Sequence, residues 1–145
     1  MGREAWLWRG VVAGCGAGIA LFTVIFAGGH QIGGAGLILG ALVGSAGAGI
    51  CLSPLFGRAG GLGWFCAFGA ALGVTVAGGA VAGAVFDPAL RHGGPLTGAM
   101  MGPAMVLAHP VPVLVWLAGF GALHLGLQRG RRAQGARDRL RIFAE

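Results

Sequence analysis

The side chains able to do chemistry in this sequence are few, and most of them gather in one stretch. Met101, Met105 and His109 recur at intervals of four, with Met100 adjacent and His92 upstream. Thioether sulfur and imidazole nitrogen form a soft ligand set suited to a cuprous ion, which makes Met101, Met105 and His109 the candidate metal ligands. Pro103 falls between the two methionines and predicts an interrupted helical face from Met101 to His109. Without a metal, such methionines fill irregular gaps in an apolar core. Asp87, Arg91 and His92 make a second group. Asp87 is the only carboxylate close to an apolar segment, Arg91 is near enough to pair with it, and Asp87-Pro88 reads as a helix end.

Other chemistry finds little support. The carboxylates are Glu4, Asp87, Asp138 and Glu145, and none lies deep in an apolar run, where a proton-coupled carrier needs one. Two-histidine haem ligation requires partners at matching depth on facing helices. His30, His92 and His109 fall at one side and His124 near the other, so haem is not expected. Thr23, Ser45 and Thr75 have no base beside them, and no phosphate-binding loop occurs. No enzyme activity and no cofactor are predicted. Cys15, Cys51 and Cys66 form neither a CxxC nor an even set and read as small buried apolar residues.

The elements that hold these residues follow from composition. The chain has 145 residues, 56% hydrophobic and 10% charged, with a mean hydropathy of +0.81. So few charges cannot cover a soluble domain. Its 32 glycines lie among Ala, Val, Leu and Ile, a setting in which Gly serves close packing of membrane helices. A span needs about 20 apolar residues, and four stretches supply them: Gly10–Gly29, Ile32–Leu52, Leu62–Phe86 and Ala104–Leu127. The expected fold is an all-α integral membrane protein. It would be a four-helix transmembrane bundle (1–128) with Gly/Ala-rich interfaces, followed by a basic tail (129–145). His109-Pro110-Val111-Pro112 predicts a fourth span broken by proline. As an alternative, that span shortens to Pro112–Gln128, and 96–108 dips into the membrane or packs on its outer face. The remaining connection, Asp87–Pro103, reads as the one long loop. Val12-Ala13-Gly14-Cys15 looks like a lipoprotein box, but the apolar run follows the cysteine, so the first segment is expected to be retained as a helix.

All ten basic residues are arginine. In this topology nine fall on one side and only Arg91 on the other, a bias that predicts both termini in the cytoplasm. The net charge of +6 is thus ascribed to orientation in the membrane, and nucleic acid is not an expected partner. Arg-only basicity with abundant Gly and Ala suggests a bacterial inner membrane. Trp6, Trp8 and Trp64 sit near span ends, as interfacial aromatics do.

Small residues recur every four positions, so they stack on one helix face. Gly36, Gly40 and Gly44 form such a ridge on the second span, Gly79 and Gly83 end one on the third, and Gly69 and Gly73 begin another there. Gly10, Gly14 and Gly18 mark the first span. In lipid, such grooves let helices pack closely where no hydrophobic force drives them together. The partners expected are therefore membrane lipids and other helices, in a hetero-assembly or a homo-oligomer.

The Met-x-x-x-Met pair, Met101 and Met105, beside Gly-x-x-x-Gly helices resembles the copper-transporter family. The resemblance covers that spacing alone, since the helix count differs and no Met-rich amino terminus is present; it implies copper as a substrate. Two functions follow as expectations. One is a small non-catalytic multi-pass protein acting as an accessory or structural subunit of a larger inner-membrane assembly. The other is a small oligomeric transporter or channel, with a copper ion among its candidate substrates.

Overall fold

The computed structural model describes the backbone of residues 3–86 and 94–142, and the side chains of 6–28, 34–86, 94–134 and 136. Five helices follow in order: α1 (Arg3–Phe26), α2 (Gly29–Leu52), α3 (Gly60–Phe86), α4 (Gly94–Leu107) and α5 (Pro110–Ile142). No strand occurs among the described residues. Among the described residues, four stretches are long and apolar enough to cross a membrane: Trp6–Phe26, Gly34–Leu55, Gly60–Phe86 and Pro110–Gln134.

Glycine marks the turns. Gly28 (φ 71°) ends α1 in the left-handed region, and its N–H donates to the Ile25 carbonyl at 3.1 Å. Gly34, at φ 56° and ψ −157°, kinks α2 inside its first turns, so the straight span begins there and not at Ile32. Residues without a side chain reach these conformations at little cost. A short 3-10 turn, Ser53–Leu55, with Pro54 in its first positions closes α2.

The largest departure from the sequence reading lies between 94 and 112. Residues 94–103 belong to a helix and not to a long loop: α4 runs through Pro103 to Leu107. Pro103 therefore does not stop the helix, which carries Met101 and Met105 together but ends before His109. Helical order gives way at Ala108-His109, just ahead of Pro110, because the residue before a proline is pushed out of the α region. Pro110 then opens α5 at the position where a missing N–H costs nothing. The fourth long helix thus begins six residues later than Ala104 and runs unbroken past Leu127, through the basic tail, to Ile142. With 14 residues, α4 is about 21 Å long at 1.5 Å per residue, short of a ~30 Å hydrocarbon core.

α2 packs along α3, α4 along the later half of α3, and α1 along α2, with α5 closing the bundle against α1. Val12, Val74, Phe56, Trp116, Phe120 and Leu123 are the centre of the apolar core. The start of α1, the 53–57 turn and the later part of α5 meet at one end. There a Cβ on Gly130 would approach Trp8 at 2.9 Å and one on Gly57 would approach Leu127 at 2.7 Å. The Arg131 and Arg58 side chains both reach the Pro54 carbonyl, at 3.5 and 3.4 Å. At the opposite end the His109 ring lies 5.0 Å from that of Phe26.

Candidate functional site

The closest helix pair sets the shape of the interior. α4 places Gly94, Gly98 and Gly102 against Gly83, Gly79 and Thr75 of α3, backbone against backbone. A Cβ on Gly98 would fall 2.8 Å from the Gly83 Cα, and one on Gly102 would fall 2.7 Å from the Thr75 carbonyl oxygen. Such contacts leave no flexible atom to move aside. α2 meets α3 in the same manner: a Cβ on Gly40 would fall 2.7 Å from the Ala82 Cα, and one on Gly44 would fall 2.8 Å from the Ala77 carbonyl oxygen.

Where the helices diverge, a cavity of about 290 Å³ opens among all five. α1 lines it with Ile19, Thr23 and Val24, α2 with Ala41 and Ser45, α3 with Val74 and Ala82, and α4 with Met101, Met105 and Val106. Phe86 and Gly94 border it near the α3–α4 connection, and Phe120 of α5 borders it elsewhere. Among the described residues, no charged side chain lines it. Thr75 Oγ1 donates to the Ala71 carbonyl at 3.0 Å and accepts from Trp116 Nε1 at 2.8 Å, which ties α5 to the cavity wall. Thr23 is 5% exposed, yet its Oγ1 has no hydrogen-bond partner among the described residues. A buried hydroxyl without a partner is uncommon because its desolvation goes uncompensated.

A second polar site lies at the arginine-bearing end. His124 is fully buried. Its Nδ1 accepts from the Gly57 N–H at 3.1 Å, so the partner is a turn, and the Trp64 ring lies 4.4 Å away. Gly57 adopts φ 73° with Leu127 close against it, so both conformation and space call for glycine. Accepting at Nδ1 makes Nε2 the protonated nitrogen of the neutral ring.

The sequence-predicted residues separate into three groups. Met101 and Met105 both line the cavity, whereas His109 is exposed in the turn after α4, against Phe26 and off the cavity wall. Asp87, Arg91 and His92 lie outside the described residues. Among the packing glycines, Gly40, Gly44, Gly79 and Gly83 face backbone of a neighbouring helix, Gly36 and Gly73 face the side chains of Val85 and Leu52, and Gly69 faces open space. Gly94, Gly98 and Gly102 were missed because their stretch read as a loop. Their own four-residue spacing was the available signal.

Comparison with protein-family models, curated proteins and solved structures finds no match to this chain. Fold and site together define a class: an all-helical, multi-pass membrane protein with four helices long and apolar enough to cross a membrane, and a cavity, lined by no charged side chain among the described residues, beside a helix of 14 residues.

Proposed function

We propose that this chain is a small non-catalytic accessory subunit of a larger assembly in a bacterial inner membrane, docking through the outward face of α1. The observation that carries this reading is a contrast between glycine ridges. Gly40 and Gly44 of α2, Gly79 and Gly83 of α3 and Gly98 and Gly102 of α4 are filled by a neighbouring helix's backbone, but Gly10, Gly14 and Gly18 make a whole exposed row on α1, with nothing among the described residues within 4 Å of the position a Cβ would take. Smooth small-residue grooves are where membrane helices associate, and this chain leaves that one unused. In the same reading the arginine-bearing end faces the cytoplasm, and the Gly/Ala contacts are the helix interfaces of a transmembrane bundle.

The test is extraction in a mild detergent followed by mass determination, for the natural chain and for Gly14→Leu. A partner in fixed stoichiometry, lost in Gly14→Leu while the chain stays folded, supports the reading. A bare monomer whose behaviour Gly14→Leu does not alter contradicts it.

A second reading, a small carrier, draws on α4. Half-length helices that end inside a bundle border substrate sites in transporters, and α4 ends beside the cavity. Copper as its substrate would engage Met101 and Met105 from the cavity wall. Metal analysis after exposure to cuprous ion tests this: retained copper that falls in Met105→Leu supports it, and a metal-free protein ends it.

A further inference from the structure

We infer that His124 is a proton-operated latch: its neutral ring holds the 53–57 turn against α5, and protonation of the ring releases that turn. The latch works with or without a protein partner, so it does not rest on the subunit reading.

The geometry admits one charge state of the ring. Nδ1 accepts the Gly57 N–H at 3.1 Å, and only an unprotonated nitrogen can accept. Nε2 carries the proton of the neutral ring and is buried with no hydrogen-bond partner among the described residues. A second proton can go only to Nδ1, where it would point at the Gly57 N–H, donor against donor. Both residues are buried, so both donors would then be left unpaired, which is costly away from water. The closed turn has no room to rearrange around them. Gly57 stands at φ 73°, with the Leu127 Cβ 2.7 Å and the Gln128 amide nitrogen 3.1 Å from the place of a Cβ. The turn has to move away.

The surroundings act in the same direction. The charged side chains described at this end are arginines: Arg131 on the same helix is within electrostatic reach of the ring, Arg58 joins it at the Pro54 carbonyl, and α1 brings Arg9, seated over Trp6. None of them is a counter-charge for an imidazolium. From α3 comes the Trp64 ring, 4.4 Å away. Its face attracts a cation, but the Gly57 amide, not the indole, confronts Nδ1. Glu4, at the start of α1, lies outside the described side chains. Water is close, since Pro54 and Arg58 are both exposed. The closed turn therefore takes the neutral ring and the released turn admits the charged one. The contact holds well above the ordinary histidine value of about 6.5 and is lost as pH falls below it.

The experiment uses the full chain in detergent micelles, with amide hydrogen exchange at Gly57 read by fragment mass spectrometry and divided by the intrinsic rate at each pH. The ratio reports the released fraction. It is expected to rise by up to roughly tenfold per pH unit below about 6.5. In His124→Asn, whose side-chain oxygen stands where Nδ1 does and accepts without titrating, the ratio should stay flat. A contribution from Glu4 or from another histidine would survive in that variant. Should His124→Asn fail to fold, nitrogen-15 resonances of the His124 ring in the natural chain decide. They should show the proton on Nε2 at pH 7.5, and the rise in exchange should follow the ring's own titration. A flat ratio in the natural chain, an equal rise in His124→Asn, a proton on Nδ1 at pH 7.5, or exchange that departs from the ring's titration would each overturn the inference.

Discussion

Trp116 is 6% exposed, and its indole N–H finds its acceptor on Thr75 of another helix at 2.8 Å. Thr75 can accept because its own proton goes to the Ala71 carbonyl one turn back. Replacing Thr75 with Val keeps the shape but leaves the indole N–H unpaired. Interhelical hydrogen bonds in membrane proteins contribute about 0.6 kcal/mol on average and up to about 1.7. Thr75→Val should therefore lower stability by about 1 kcal/mol, read by denaturant unfolding followed through tryptophan fluorescence; an unchanged midpoint would show the bond to be idle. The residue types on this wall were legible in the sequence, where Thr23, Ser45 and Thr75 stood out as polar groups in apolar runs. Which of them pairs with which was not, because Trp116 and Thr75 are 41 positions apart and no local pattern joins them.

Helices make sense here through what their glycines meet. A small-residue period tells which positions share a face, but not whether that face meets backbone, side chain or open space. Gly98 and Gly14 have the same type and similar spacing, yet one is buried against Gly83 and Gly79 and the other is bare. Gly98→Ala should thus cost about 1–3 kcal/mol, the usual cost of overpacking, measured as a drop in the melting temperature of the detergent-solubilised chain. Gly14→Ala should leave it unchanged or slightly raised, since Ala is the better helix former. Equal effects at the two sites would contradict the α3–α4 contact. The four apolar runs were readable from hydropathy because each exceeds the length a bilayer demands. The short helix α4 was not, because Pro103 argued for a break that the helix does not make; where a helix interior loses one N–H, neighbouring groups can still hold the turn.

The consequence of a half-length α4 is topological. If α4 returns without crossing, His109 and Arg58 lie at opposite ends of the bundle; a crossing α4 would bring them to the same side. Single cysteines at these positions, introduced after the three native cysteines are replaced, can be probed with a membrane-impermeant maleimide. Labelling from opposite sides of sealed vesicles is expected, with Arg58→Cys on the cytoplasmic face. Labelling of both from one side would mean that α4 crosses.

At the scale of the whole molecule, α1, α2 and α3 pack closely, while the outer face of α1 is bare along Gly10, Gly14 and Gly18. Lipid can cover that face, but it has no need of a smooth glycine groove, whereas a second helix does. The most direct measurement is photo-crosslinking in living cells from a benzophenone amino acid placed at Val11 beside the ridge, with the same group at Phe65 on α3 as the comparison. Docking through α1 predicts a discrete adduct of reproducible mass from Val11, lost in the Gly14→Leu background, and none from Phe65. No discrete adduct from Val11, or the same adducts from both positions, would contradict it.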